Sequence, residues 1–553
     1  MCGIFTLLNY TTNKIEYSQM AEEFAKGKGR GPENSTLQLD AELNLVIGFH
    51  RLAINGLNDA SNQPLSVTKG VDNYRLICNG EIYNYKQLYK LMNVTPTSDS
   101  DCEVIIHLYI RYGIHQTLRM LDGVFAFVLF CPNNIFVARD PYGVRPLYYT
   151  KDESHGIIGF TSELKTLCKI ANQFNQKAIH LEPGTFLTID KAIDFERVSW
   201  VIKEQERYHI PSFASSINEI KNENESTDIS KYLENINYYL RAAVTKRYIT
   251  TERPIACLLS GGLDSSLIAA LVCDIHKKRE TNVESETIET YSIGLPDSED
   301  IKFARIVADH IGSNHTEIIV SEQDMLQIIP EVIQAIESYD TTTVRASIGN
   351  YLLGKYIKDH SLAKVIFNGD GSDEIAGGYL YMNSCPDSVE YDKETTRLLK
   401  DIYLFDVLRS DKSISSHGLE PRTPFLDREF VNYYLSIPIE LRNHNLGQNM
   451  EKHLIRMAFY KENLLPNEIL FRKKEAFSDG VSNKGKSLFQ IIQAHIDKLV
   501  PNPSLNLKQK EKTFYKDIFE KEYPNQSHLV PYYWMPKYIL SDDPSARTLA
   551  NYK

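Results

Sequence analysis

Two strand-to-helix turns, both built on glycine, constrain this chain more than any other feature. At 258–266 the run "LLSGGLDSS" carries an apolar strand into Ser260-Gly261-Gly262, and "LDSSLIAALVCDIHKK" then repeats its apolar residues at helical spacing. At 364–379 "KVIF" runs into "NGDGSDEIAGGY" in the same way. Strand, loop and helix in alternation predict a parallel sheet with helices on its faces. In such a sheet both loops lie at the carboxyl ends of strands, where ligands bind. Glycine lets the backbone approach a ligand closely, and a helix N-terminus offers free N–H groups to an anion. Ser260, Ser265 and Ser266 add hydroxyls, but the lysine of the GxxxxGK[ST] phosphate loop is missing. Taken alone, the first loop also reads as a plain capped turn. In the second loop Asp370, Asp373 and Glu374 crowd beside Gly369 and Gly371. Carboxylates this close repel unless a cation neutralises them, and Mg²⁺ bridging to a bound phosphate suits that task.

The first 195 residues have another texture. Short β-like runs such as "LVIGFHRLAI" and "GVFAFVLF" are punctuated by turn residues, with one helical pattern at "DCEVIIHLYIRYG". Layered antiparallel sheets are expected there. A polar stretch, "SSINEIKNENESTD" (215–228), reads as a connection. The chain therefore divides into a first domain over 2–200, a linker over 201–230 and a second domain over 231–553. At 553 residues it is too long for one ordinary core. Its 42% hydrophobic and 24% charged residues are those of a soluble protein, and no apolar run approaches the roughly 20 residues of a membrane span. The N-terminus has no signal-peptide pattern. A net charge of −11 argues against a general nucleic-acid or anionic-membrane binder. Eight cysteines without a CxxC pair fit reduced thiols in the cytosol.

Cys2, taken alone, is an ordinary cysteine near an end. Once Met1 is removed, its α-amine, with a pKa of about 7.7–8.0, can take the proton of a thiol near 8.5. That is the activation used by N-terminal nucleophiles, and it needs no histidine. His50, beside Arg51, reads as structural.

The ordered set "MCGI", "RGPE", "FHRLAING", "CNGEIYN", "SDCEVI", "ARDPYGVRPLYY", "LLSGGLDSS", "ESYDTTTVRAS", "NGDGSDEIAGGY", "MEKHLIR", "KKEAFSDG" and "YYWMPKYILSDDPSARTL" resembles the glutamine-hydrolysing asparagine synthetases over essentially the whole chain. "SGGLDS" itself resembles the pyrophosphate loop of the ATP pyrophosphatases. The resemblance implies an α/β multidomain fold: an N-terminal αββα N-terminal-nucleophile glutaminase sandwich, then a doubly wound parallel α/β ATP-pyrophosphatase (PP-loop) domain. It implies that ATP, L-aspartate and L-glutamine give L-asparagine, L-glutamate, AMP and pyrophosphate with Mg²⁺, in a cytoplasmic homodimer. In the first domain it assigns Cys2 as nucleophile and Asn79 with the Gly80 N–H as oxyanion hole. Arg51 clamps the glutamine carboxylate, with Leu52, Ala53, Ile54 and Asn55 along the same edge; Asp101 takes the ammonium, and Glu81 completes recognition. "NGE" also reads as a hairpin turn.

In the second domain the resemblance gives Leu259, Ile293, Asn368 and Gly369 to the adenylate and Ser260, Gly261, Gly262, Asp264 and Ser265 to pyrophosphate. Lys452 assists at the phosphates, Lys474 stabilises charge during adenylation, and Asp264 with Asp373 holds Mg²⁺. Thr342, Thr343 and Arg345 handle aspartate. A covered route for ammonia belongs to the family, though no spacing in this sequence demonstrates one. Two departures stand out: Asp370, placed by the resemblance as a catalytic residue, is one methylene shorter than the usual glutamate of SGEGSDE that helps form β-aspartyl-AMP, and Glu33 replaces the aspartate of RGPD, with no assignable consequence. Competing readings are a β-lactam-synthetase-like amide ligase, a glutaminase with a decayed second domain, and a non-catalytic binding protein. Cys2 with Arg51 and Asp101 opposes the first, intact SGGLDSS with Lys474 the second, and the filled catalytic positions the third.

Overall fold

The structure is a computed structural model that describes residues 1–152, 156–194, 197–210, 229–279, 287–482 and 485–549. The polar stretch at 215–228 lies outside the described residues. The chain forms two compact units. One comprises Met1–Ile210 with Ser415–Glu420 and Phe519–Pro531; the other comprises Pro211–Ile414, Pro421–Ile518 and Tyr532–Lys553.

The first unit holds β1 (Gly3–Leu8), β2 (Asn34–Asp40), β3 (Leu45–Arg51), β4 (Leu65–Lys69), β5 (Asp72–Ile82), β6 (Gly123–Phe130), β7 (Asn134–Arg139), β8 (Tyr148–Lys151), β9 (Ile158–Thr161), β10 (Ile179–His180), β11 (Thr185–Asp194) and β12 (Arg197–Arg207). They make two six-stranded sheets, in the orders β10-β8-β9-β1-β3-β2 and β12-β11-β7-β6-β5-β4. Alternation along each strand sends side chains to opposite faces. Ile4 and Leu8 of β1 therefore meet Ile77, Ala126 and Val128 of the other sheet in one core. Phe5 and Leu7 point the other way, into a core with Met20 and Phe24 of α1 (Tyr17–Ala25) and Ile170 of a short later helix. Phe125, Phe127 and Leu129 of β6 pack outward on α2 (Tyr85–Met92) and α3 (Val104–Met120). These three cores separate four layers, the expected αββα sandwich. Strand β12 continues to Arg207, so 201–207, expected as connection, belongs to a sheet.

In the second unit β13 (Ile255–Leu258), β14 (Glu289–Gly294), β15 (Asn314–Ile319) and β16 (Val365–Phe367) run in one sheet that β17 (Glu420–Arg422) completes, in the order β15-β14-β13-β16-β17. β13 pairs in parallel with both β14 and β16. The chain steps from β13 to one side for β14 and β15, then to the other for β16. The gap between β13 and β16 is thus the topological switch point of a doubly wound sheet. Helices α4 (Ser230–Ile249), α5 (Leu263–Arg279) and α6 (Glu299–Ile311) flank these strands. α5 starts at Leu263, immediately after the glycines, as its apolar spacing predicts. Among the described residues no helix is long and apolar enough to cross a membrane.

Candidate active sites

In the first unit the ends of β1, β3 and β5 converge on Cys2. Its backbone N–H donates to Asn79 Oδ1 at 2.9 Å, and its thiol faces the Leu52 carbonyl at 3.7 Å. Burial pushes the thiol up from its ordinary range, against the Met1 ammonium, the Leu52 contact and Arg51, all of which pull it down. Asn79 is fully buried, and its Nδ2 donor has no hydrogen-bond partner. A buried amide N–H left unmet is costly, so it marks a place where an oxygen of a bound molecule belongs. Asn79, Gly80 and Glu81 pair with Ala126, Phe125 and Val124 inside β5, so "NGE" is mid-strand and the hairpin reading is corrected. Only glycine fits at 80, because a Cβ would lie 2.4 Å from the Val124 carbonyl oxygen. Such close strand approach is why the turn-like residues sit in a sheet.

Arg51 ends β3 and folds over the next loop, donating to Asn58 O (3.1 Å), Asn62 Oδ1 (2.8 Å), Asn55 O (3.2 Å) and Gly56 O. Leu52, Ala53 and Ile54 are buried, and Asn55 Nδ2 donates to Glu81 Oε2 at 2.7 Å. Asp101, buried at the start of a 3₁₀ turn, accepts from Ile82 N–H at 2.7 Å. Glu33 gains a role invisible in the sequence: its carboxylate accepts from Ala53 N–H at 2.7 Å and its own N–H donates to Arg51 O at 3.1 Å, which ties down the 52–56 edge. His50 stacks on Phe24 and holds Ser35 and the Phe24 carbonyl, in keeping with a structural role.

The second unit carries a cavity at the switch point, walled by the two glycine loops, the end of β14 and the loop 472–478. It brings together Leu259, Ser260, Gly262, Asp264, Ser265, Ile293, Asn368, Gly369, Asp370, Asp373, Lys452, Lys474, Thr342 and Thr343. Gly261 turns the chain behind this wall with φ +72°. The serine hydroxyls knit the first loop: Ser265 Oγ accepts from Ser260 N–H at 3.1 Å and lies 3.0 Å from Ser260 Oγ.

Two carboxylates and two ammoniums form the centre. Lys452 Nζ lies 2.6 Å from Asp264 Oδ2 and 2.5 Å from Asp373 Oδ1, and Lys474 Nζ lies 2.5 Å from Asp373 Oδ2 and 3.8 Å from Asp264 Oδ2. Burial alone would raise the Asp373 carboxyl, but Lys452 and Lys474 overcome it and hold the group well below its usual range. For Lys474 burial pulls down, and Asp373 with Asp264 more than compensates, so it stays protonated. Asp264 Oδ1 is buried without a hydrogen-bond partner. Mg²⁺ is held by one or two carboxylates plus substrate phosphates, and a free carboxylate oxygen beside Asp373 fits that donor set.

Arg345 is not brought to the cavity. Its guanidinium points into the protein and takes two carboxylates, Glu511 at 2.6 Å and Asp543 at 2.8 Å. The cavity presents instead a group that sequence patterns missed. Arg409, on the helix Asp406–Ser415, meets Asp370 Oδ1 at 3.2 Å and Asp406 Oδ1 at 2.9 Å. Beside them Tyr379 donates to the buried Glu374, whose carboxyl is pushed well up by burial and by the charges of Asp406 and Asp373. Single charges on a helix make no motif, so only the fold reveals this cluster.

The glutamine amidotransferase domain family matches residues 1–193, and the asparagine synthase family matches 235–393 and 383–539. The glutamine-hydrolyzing asparagine synthetase of Gallus gallus is 42% identical over 569 aligned residues that span 100% of this chain and 99% of the relative. That of Homo sapiens is 40% identical over 573 residues, again spanning 100% and 99%. With both domain families matched in order and enzymes of one kind aligned from end to end, the chain belongs to the glutamine-hydrolysing asparagine synthetase family.

Proposed function

We propose that the chain makes L-asparagine from L-aspartate and ATP by way of β-aspartyl-AMP, with ammonia released from L-glutamine at Cys2. One observation carries this reading: a single chain holds both a cysteine facing an unmet amide donor and a switch-point cavity centred on Asp264, Asp373, Lys452 and Lys474. Removal of Met1 leaves an α-amine on Cys2 next to Asn79 Oδ1. That amine takes the thiol proton, and the thiolate attacks the glutamine amide carbon. Asn79 Nδ2 then meets the oxyanion that forms, and the tetrahedral adduct collapses to a thioester as the α-ammonium passes the thiol's proton to the leaving nitrogen, which departs as ammonia. Water releases glutamate from the thioester and regenerates the thiol. Arg51 and Asp101 are the groups of the right charge for the substrate's carboxylate and ammonium.

In the second unit the serine loop and the N-terminus of α5 receive the β- and γ-phosphates. Asp264 and Asp373 would hold Mg²⁺, which supplies charge neutralisation to the triphosphate when bound. Lys474 faces the position where negative charge builds as the aspartate carboxylate attacks the α-phosphorus and pyrophosphate leaves. Ammonia then displaces AMP from the acyl carbon. Arg409 replaces Arg345 in our assignment for the aspartate α-carboxylate, since a planar guanidinium at the cavity suits it. Asp406 suits its ammonium, and Thr342 and Thr343 form the adjoining wall. A homodimer in the cytoplasm is part of this reading and rests on the sequence resemblance.

The test is product analysis with aspartate, MgATP and either glutamine or ammonium. Cys2→Ala is expected to abolish glutamine-dependent asparagine formation and to leave the ammonium-dependent reaction intact. Equal loss of both would refute the two-site mechanism, and no asparagine from the unaltered protein with either nitrogen source would favour a glutaminase alone.

A further inference from the structure

The C-terminal run "SDDPSARTL" (541–549) carries no residue on the cavity wall, yet its side chains converge on the loop that presents Lys474. That loop needs holding. Between Phe471 and Val481 its only regular structure is one turn, Phe477–Gly480. Arg547 donates to Glu475 Oε1 at 2.6 Å, on the residue next to Lys474, and to Ser482 Oγ at 3.3 Å. Ser545 Oγ sits 3.0 and 3.1 Å from the two carboxylate oxygens of Asp479, which is almost fully buried. The tail is itself anchored. Asp543 receives Arg345 through two hydrogen bonds, at 2.8 and 3.0 Å, and Gln493 Nε2 at 3.0 Å. Its Oδ1 also accepts from Ser545 N–H at 2.9 Å, and Ser545 caps the short turn Ala546–Thr548 that carries Arg547. Arg345 and the cavity residues Thr342 and Thr343 share one helix, Thr341–His360.

We propose that residues 541–549 are a latch that sets the position of Lys474, with Arg547 as a positioning residue and the Arg345–Asp543 pair as its anchor. The proposal rests on the reading of Lys474 as the adenylation lysine. Contacts run without a break from the helix that walls the cavity, through Arg345, Asp543 and Ser545, to Arg547, Glu475 and the backbone of Lys474. Arg472 also lies 3.5 Å from Glu475, but Asp300 holds that guanidinium at 2.9 Å. Without Arg547 the carboxylate beside Lys474 loses a charged contact at 2.6 Å, and the loop loses one of the ties that fix its distance from Asp373. Misplacement of a charge-stabilising group lowers the rate of the chemical step more than it weakens ground-state binding.

The experiment measures pyrophosphate and asparagine with ammonium as nitrogen source, glutaminase activity, and thermal melting, all on the full chain. Arg547→Ala is expected to lower ammonium-dependent kcat by about tenfold or more while the KM for ATP stays within about threefold. Glutaminase activity should be unchanged, and the melting temperature should fall by no more than a few degrees. Arg547→Lys should recover part of the rate, and added guanidinium should rescue the alanine variant but not Lys474→Ala. Glu475→Gln, which keeps the shape and removes the partner charge, should show the same loss, and Arg547→Ala on top of it should add little. An ammonium-dependent kcat within about twofold of the unaltered chain for Arg547→Ala would overturn the latch, as would a parallel fall in glutaminase activity and melting temperature. Full pyrophosphate formation by Lys474→Ala would instead overturn the reading of Lys474.

Discussion

Asp300 shows how a single residue in this cavity carries a pH dependence. It lies in the first turn of α6, 4% exposed, with Arg472 at 2.9 Å. Burial pushes its carboxyl up to about 7, Arg472 and Lys474 pull it down, and Glu475 adds to the rise. The unfolded chain releases this proton near the ordinary value of 3.8, so between about 4 and 7 the folded state holds a proton that the unfolded state has lost. Stability from this group is complete below the unfolded value and is lost as pH climbs through the folded one. Asp300→Asn removes the titration. Its stability relative to the unaltered chain should therefore improve by on the order of 3 kcal/mol between pH 5 and pH 8. Urea unfolding at the two pH values measures it, and a difference independent of pH would refute it. Asp370 makes a second point at this scale. It reaches Arg409 at 3.2 Å, so its carboxylate is anchored in the cavity wall.

At the scale of elements, the second unit's site is two loops pressed together at the ends of β13 and β16. A Cβ on Gly369 would lie 2.7 Å from both Asp264 C and Ser265 N, so the second loop touches the backbone of the first. Gly369→Ala must part them and carry Asp373 away from Asp264. Ammonium-dependent synthesis should fall by about 100-fold, because misplacing reacting groups by an ångström costs that much. Glutaminase activity should persist, and retention of full synthesis would show that the loops are not coupled. Much of this site was legible because glycine spacing after an apolar strand has few other physical uses. The αββα layering was legible only as antiparallel sheets, since which face of β1 meets which core depends on pairing. That Arg345 turns away from the cavity was not legible, because its partners Glu511 and Asp543 lie 166 and 198 residues away and helical spacing alone does not say which side faces the cavity. "NGE" in β5 was open to a turn reading, since the contact that demands Gly80 comes from β6, beyond the helices that follow it. Arg409 and Glu33 act through partners that no local pattern announces.

At the scale of the whole molecule, the first unit is not a linear stretch of chain. A reading by composition breaks the chain once, near 200–230, yet the compact unit that contains Cys2 also includes Ser415–Glu420 and Phe519–Pro531. Those late segments supply buried partners. Gln526, fully buried, accepts from Ala178 N–H at 2.9 Å and donates to Asn172 at 3.1 Å, and His528 meets the Ala178 carbonyl at 2.7 Å. Arg30 donates to Ser415 at 2.9 Å as well as to Glu163, and its Nε holds the Cys2 carbonyl at 3.0 Å. Glu420 carries the Met1 ammonium at 3.1 Å with Arg145 nearby at 3.8 Å, all three nearly inaccessible to water. A chain cut after residue 210 keeps every residue assigned to glutamine and loses Gln526, His528, Ser415 and Glu420; of their contacts only the Met1–Glu420 pair is already absent from a chain that starts at Cys2. Each buried polar group left unmet costs about 1–3 kcal/mol, and a buried charge that loses its mate costs more. The 1–210 fragment should therefore lose glutaminase activity at a temperature lower by about 10 °C or more than the full chain does, given the few degrees that each kcal/mol is worth in a unit of this size. Supplying residues 415–420 and 519–531 in trans as peptides should recover little of this, since their ordering entropy is then no longer offset by the connected chain. Heat inactivation of glutaminase in the fragment and the full chain decides the matter. Coincident inactivation curves would mean that the late segments cover the first unit without stabilising it.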